Sequence, residues 1–111
     1  MVALSQGEII EVSLDPSLGH EPCKKRPALV VSGRSFNINS SLTYIAPITS
    51  VDNGYPLHLS ISDNDACVVG FACLEQMRAV DLVARSYKSL GAVSEETLNL
   101  ILNYFPAIFD L

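Results

Sequence analysis

No stretch of this sequence stays apolar long enough to cross a membrane. The longest such run, Ala66–Leu74, falls far short of the roughly 20 residues that a helical span needs. Cysteine is scarce: Cys23, Cys67 and Cys73 are the whole complement, and none stands at C-x-x-C spacing. An odd count suggests reduced thiols. The start, MVALSQGEIIEV, lacks a basic segment followed by an apolar one, so a secretory signal is not expected and a cytoplasmic protein is. His20 and Cys23 are metal-type ligands without a second pair, so no metal or other cofactor is expected. Positive charge is scarce too. Seven Lys and Arg against twelve Asp and Glu leave a net charge of −5. Taken alone, that average counts against a nucleic-acid partner. The P-loop, G-x-G-x-x-G, G-x-S-x-G and H-E-x-x-H signatures are all missing. So are internal repeats and low-complexity segments.

What is present suits one folded domain over residues 1–111, because 49% of the chain is hydrophobic. Period-two apolar spacing predicts a first strand over Gly7–Leu14, with Ile10, Val12 and Leu14 on one face. A long loop follows over Asp15–Pro27, with three prolines and one glycine. Structureless segments of that length in small domains are often functional. Ala28–Ser32 reads as a buried strand, and Ser35–Ser41 as polar and turn-like with at most a short helical turn. Further strands are expected at Leu42–Pro47, Leu57–Ile61 and Ala66–Glu75, the last with a bend at Gly70. Met77–Val83 continues it after a break. Cys67 and Cys73 are expected to be small buried hydrophobes. The one clear helix is the last. Ser94 caps it, Glu95 and Glu96 suit its N-terminal dipole, and Leu98, Ile101, Leu102 and Phe105 form its apolar face. Pro106 ends the regular part near Asn103–Phe105. The fold expected is mainly β with a C-terminal α-helix, a small bent β-barrel.

The cations are not evenly spread. Lys24, Lys25, Arg26 and Arg34 cluster early, and Arg78, Arg85 and Lys88 form a second group. Polar side chains stand at the ends of apolar strands: Arg26 before Ala28–Ser32, Thr49 after Tyr44–Pro47, and Glu75-Gln76 after Ala66–Leu74. Strand ends of a barrel converge on a rim, and this rim suits an anionic ligand. Each residue also has an ordinary reading. Arg26 is a solvated cation, Thr49 a turn residue bonded to its own backbone, Glu75 a surface partner of Arg78, and His20 a loop histidine.

In order and spacing, these segments resemble the MazF/PemK-type toxins, the mRNA interferases of toxin–antitoxin pairs. The resemblance runs through Gly7-Glu8-Ile9, Asp15-Pro16, Gly19-His20-Glu21 and Arg26-Pro27-Ala28-Leu29-Val30-Val31-Ser32. It continues through Phe36-Asn37, Ala46-Pro47-Ile48-Thr49-Ser50, Gly54-Tyr55-Pro56, Leu74-Glu75-Gln76-Met77-Arg78, Asp81 and Arg85. It implies an SH3-like β-barrel with a C-terminal helix, a homodimer, and an antitoxin of the MazE/PemI kind as partner. It also implies a metal-independent ribonuclease acting on single-stranded RNA, with the 2′-hydroxyl attacking the adjacent phosphate.

By the same resemblance, Arg26 matches the catalytic arginine and Thr49 the active-site threonine. Glu75, His20 and Glu21 share the candidacy for general base. Lys24, Lys25, Gln76, Arg78 and Arg85 are candidate RNA contacts. The chain departs from PemK-like members at Cys73, where they carry an arginine, and its 50–56 loop is short. Two other readings use the same barrel: a gyrase-poisoning toxin of the CcdB type, and an inactive binding module.

Overall fold

A computed structural model describes residues 3–13, 25–51 and 54–110. Strands β1 (Glu8–Ser13), β2 (Lys25–Val30), β3 (Thr43–Thr49), β4 (His58–Ile61), β5 (Gly70–Cys73), β6 (Arg78–Val80) and β7 (Tyr87–Ala92) pair antiparallel in the order β4-β5-β3-β2-β1-β7. Strand β3 is the joint of the architecture. Its first half, Thr43–Ile45, pairs with β6, and its end, Ile48–Thr49, pairs with β5. One strand thus serves two neighbours on the same edge, and the sheet must bend around it. Among the described residues no ladder closes the sheet. An isolated bridge, Asn64 to Val93, and the bond from the Asp65 amide to the Ala92 carbonyl (3.0 Å) draw its two ends together. The result is a bent, barrel-like sheet with its helices at the C-terminus, apart from a short α1 (Arg34–Asn39).

The apolar run at β2 has a simple cause: both faces of the strand are buried. Leu29 and Val31 enter a core with Ile9, Ala46, Ile48, Ile61, Leu74 and Ile101. Ala28 and Val30 enter a second core with Leu4, Ile10, Val12, Ile45 and Val80. Helix α2 (Glu95–Leu102) covers the first core through Leu98 and Ile101, and the Ser94 hydroxyl caps it by accepting from the Thr97 amide at 3.1 Å. Pro106 lies in the first turn of a further short helix, α3 (Phe105–Ile108), where its missing N–H costs nothing. None of the described helices is long and apolar enough to cross a membrane.

Several boundaries differ from the sequence reading. Strand β2 starts at Lys25, so Arg26 and Pro27 belong to it and not to a loop before it. Thr49 is likewise the last residue of β3. The expected strand Ala66–Glu75 is only Gly70–Cys73, and Glu75-Gln76 lie in a 3-10 turn, Leu74–Gln76. Cys67 is exposed in a turn at φ 55, not buried, whereas Cys73 is buried as expected.

The segment read as turn-like forms α1. Its stability is not apolar. Asn37 is buried and donates to the Leu4 carbonyl (2.8 Å) and the Ser32 carbonyl (3.1 Å), so a polar side chain ties the helix down. Strand β7 was not foreseen, because YKSLGA is a partly exposed edge segment without apolar alternation. The loop Asp15–Pro27 lies outside the described residues up to position 24, and with it Leu14, His20, Glu21, Cys23 and Lys24.

Candidate active site

The β2–β3 ladder pairs Leu29 with Ala46 and Ala28 with Pro47. Continued by two residues, that register sets Arg26 across from Thr49. Both strand ends face one cavity of about 430 Å³, lined by Lys25, Arg26, Pro27, Ile48, Thr49, Ser50 and Val69. Its described polar lining is two cations and two hydroxyls, with no carboxylate. On its other side, Arg26 pairs with Val12 of β1, so the arginine backbone is anchored on that edge while the residue stays exposed.

Thr49 is similarly fixed. Its hydroxyl oxygen accepts from the Val51 amide at 3.2 Å. That bond uses an oxygen lone pair and leaves the O–H proton available to a ligand. The ordinary turn reading and the site reading of Thr49 are therefore compatible. The strand end also requires a glycine opposite it. A Cβ at Gly70 would lie 2.6 Å from the Thr49 carbonyl oxygen, so only glycine lets β5 approach β3 this closely.

Beyond Thr49 lies a second group of polar side chains. The β4–β5 ladder pairs His58 directly with Cys73. Glu75 follows two residues later on the 3-10 turn, and its carboxylate meets His58 Nε2. The ligating atoms of His58, Cys73 and Glu75 all lie within 4.8 Å of one another. Burial pushes the Cys73 thiol up from its ordinary range. The nearby Glu75 charge adds to this, and the Thr49 backbone amide pulls partly against it. Thr49 thus joins the two groups: it borders the cavity, and its backbone moderates the rise of the Cys73 thiol.

The His58 ring is nearly buried, 1% exposed at its side chain, whereas Glu75 is 31% exposed. Tyr55 stands edge-on to the ring at 5.2 Å. The His58 Nδ1 has no hydrogen-bond partner among the described residues. A ring proton there would be buried and unpaired, which is costly. A proton carried on Nε2 is instead paired with the Glu75 carboxylate. His58 therefore holds and orients the Glu75 carboxylate.

Sequence reasoning missed His58. The available signal was its position: with Leu57, Leu59 and Ile61 facing the first core, a histidine at 58 must point the other way. The remaining candidates are dispersed. Gln76 is exposed on the same turn as Glu75, and Arg78 is exposed on β6. Arg85 has a structural contact, its Nη1 donating to the Ser13 carbonyl at 2.8 Å at the end of β1. Glu75 has a partner the sequence reading did not name, His58.

Residues 5–109 match the family described as PemK-like, MazF-like toxin of type II toxin–antitoxin system. The chain is 34% identical over 110 residues to endoribonuclease PemK of Escherichia coli, covering 95% of this chain and 81% of that protein. It is also 34% identical over 111 residues to endoribonuclease toxin ChpB of Escherichia coli strain K12, covering 95% and 93%. Its fold is similar to that of a crystal structure of MazE-MazF from Deinococcus radiodurans. The TM-score is 0.85 at 23% identity, over 100% of this chain and 99% of that one.

Proposed function

Because this chain belongs to the PemK-like, MazF-like toxin family of type II toxin–antitoxin systems, we propose that it is an endoribonuclease toxin that cleaves single-stranded mRNA. The relatives named as endoribonucleases, at 34% identity over most of the chain, favour RNA cleavage over gyrase poisoning or an inactive module. The observation that carries the reading to particular residues is the convergence of Arg26 and Thr49 on one cavity.

The chemistry follows from those residue types. The ribose 2′-hydroxyl loses its proton and attacks the adjacent phosphorus. The bond to the 5′-oxygen breaks, leaving a 2′,3′-cyclic phosphate on one fragment and a 5′-hydroxyl on the other. The intermediate phosphorane carries extra negative charge. The Arg26 guanidinium holds two of its oxygens at once and can protonate the leaving oxygen. The Thr49 hydroxyl donates to the same phosphoryl group. Lys25 attracts the RNA backbone into the cavity.

Glu75, oriented by His58, takes the 2′-hydroxyl proton. His20 and Glu21 remain the competing bases, on residues outside those described. Lys24, Gln76, Arg78 and Arg85 extend the proposed RNA surface. No step requires a metal.

The test incubates the purified protein with a long unstructured RNA in EDTA and maps the fragment ends. Discrete cuts leaving 5′-hydroxyl ends, absent with Arg26→Ala, support the reading. Equal cleavage by both proteins would overturn the assignment of Arg26, and no cleavage by the wild type would favour the gyrase-poisoning or inactive reading.

The partners in this reading are an antitoxin and a second copy of the chain. An apolar groove of about 450 Å³ lies between Val31, Tyr44, Met77, Phe105 and Phe109. Of its lining, Tyr44 is exposed and packs against the exposed Phe36, and Phe109 is 59% exposed. A homodimer through this face gives the apolar C-terminal segment its partner surface. Light scattering on Tyr44→Asp should then report a monomer, and an unchanged mass would place the dimer elsewhere or remove it.

A further inference from the structure

We infer that His58, Cys73 and Glu75 form a binding site for a thiophilic divalent metal of the zinc class, and that occupation of this site switches the ribonuclease off. The binding site stands on the geometry alone. The inhibitory consequence rests on the proposed role of Glu75 as base.

The donor set is one imidazole nitrogen, one thiol sulfur and one carboxylate oxygen. This mixture suits zinc and excludes magnesium and calcium, which take oxygen ligands. Tetrahedral zinc, with bonds of about 2.0 to 2.3 Å, holds its donors roughly 3.3 to 3.8 Å apart. The three donors already lie within 4.8 Å of one another; the most distant one closes in, and His58 Nε2 and the Glu75 oxygen, now in hydrogen-bond contact, move apart to admit the ion, shifts of about 1 Å each.

Two of the ligands are placed rigidly. His58 and Cys73 are direct cross-strand partners in the β4–β5 ladder, so their side chains emerge side by side from one face. Both residues are buried. The third ligand is the adjustable one, because Glu75 sits on the 3-10 turn with its side chain partly in solvent. Metal enters from that open side, and a fourth position stays available there for water.

One feature limits affinity. A ligating histidine ordinarily donates its other ring N–H to a partner, and the loss of such a partner costs about 10- to 100-fold. The His58 Nδ1 has none among the described residues. An affinity about 10- to 100-fold below that of a fully partnered site is therefore expected, a weakening that favours reversible occupation. In the occupied site the Glu75 carboxylate is bound to the metal and no longer accepts the proton of a 2′-hydroxyl.

The test titrates metal-free protein with Zn²⁺ by calorimetry and with Co²⁺ by absorbance. One ion per chain and a thiolate-to-cobalt charge-transfer band are expected. Cys73→Ser should abolish the band, and Glu75→Gln, at a partly exposed position, should weaken binding about tenfold or more. Cys23→Ser should keep both band and affinity. Absence of binding, or a band lost with Cys23→Ser and kept with Cys73→Ser, would overturn the site.

Cleavage assays then read the consequence separately. One equivalent of Zn²⁺ should suppress RNA cutting by the wild type, and EDTA should restore it. Cutting that persists with the site shown to be filled by the cobalt and calorimetry data would overturn the inhibitory role and leave the site standing. A wild type that cuts no RNA in EDTA would instead overturn the ribonuclease reading and, with it, the proposed switch.

Discussion

The Arg26–Thr49 corner and the His58–Cys73–Glu75 corner are built from opposite materials. The first consists of cations and hydroxyls at the open ends of β2 and β3. The second sets a histidine and a cysteine, buried across β4 and β5, against a carboxylate on the turn that follows β5. Thr49 and Cys73 join them at the seam where β3 meets β5. The contrast shows how one strand junction can keep a cationic surface open to an anionic ligand while holding a carboxylate nearby. If the two shared one solvent-filled pocket, Glu75 and Arg26 would tend to neutralise each other. Here His58 takes up the carboxylate instead.

The comparison breaks most sharply at Arg26. Arg26→Ala should lower the RNA cleavage rate by about 10²–10³-fold, with an unchanged melting temperature, because the side chain is exposed and belongs to the first corner alone. Near wild-type rates from that folded variant would dissolve the functional distinction between the two corners. Gly70→Ala tests the seam instead. Its Cβ would strike the Thr49 carbonyl, so a loss of about 1–3 kcal/mol in urea unfolding is expected. An unchanged midpoint would show that β5 can withdraw from β3 at no cost.

His58→Ala should act on the second corner only. Removing the donor from Glu75 and opening a cavity should cost about 1–3 kcal/mol of stability. It should also lower kcat more than it changes KM, with His58→Gln recovering part of both. A change confined to KM would make His58 part of the RNA surface and not a positioning residue.

The smallest effect distinguishes the corners by reactivity. Raising the Cys73 pKa lowers its thiolate fraction at any given pH. Iodoacetamide at neutral pH should therefore modify the exposed Cys67 before Cys73, and Cys73 should gain on it as pH rises. Peptide mass spectrometry reads the order, and faster labelling of Cys73 would contradict its burial.

Much of the first corner was legible before any coordinates. Arg26, Thr49 and Glu75 stood out as polar residues flanking apolar strands. Two of the three converge on one cavity, and the third lies just beyond Cys73. The boundaries were less legible. Pro27 reads as loop punctuation, yet it lies within β2 opposite Glu11, since tertiary pairing overrides local preference. The helix at Arg34–Asn39 was legible only as a short helical turn, because its anchor is the buried amide of Asn37 and not an apolar stripe. His58 was hidden for a related reason: the meaning of a histidine in a strand depends on what the neighbouring strand places beside it.

The sequence by itself determined the quantities that depend on near neighbours along the chain. Alternation at Ile10 and Val12, the doubly buried run at Ala28–Val31 and the Ser94 cap all follow from periodicity and short-range hydrogen bonding. The order of motifs from Gly7 to Arg85 carried the family. Only the tertiary structure decided the quantities that depend on register between distant segments: Arg26 and Thr49 on one cavity, His58 beside Cys73, and β3 shared between β5 and β6. Shifting a strand by one residue turns every side chain to the other face, and no local pattern specifies which residue of a distant strand will stand opposite.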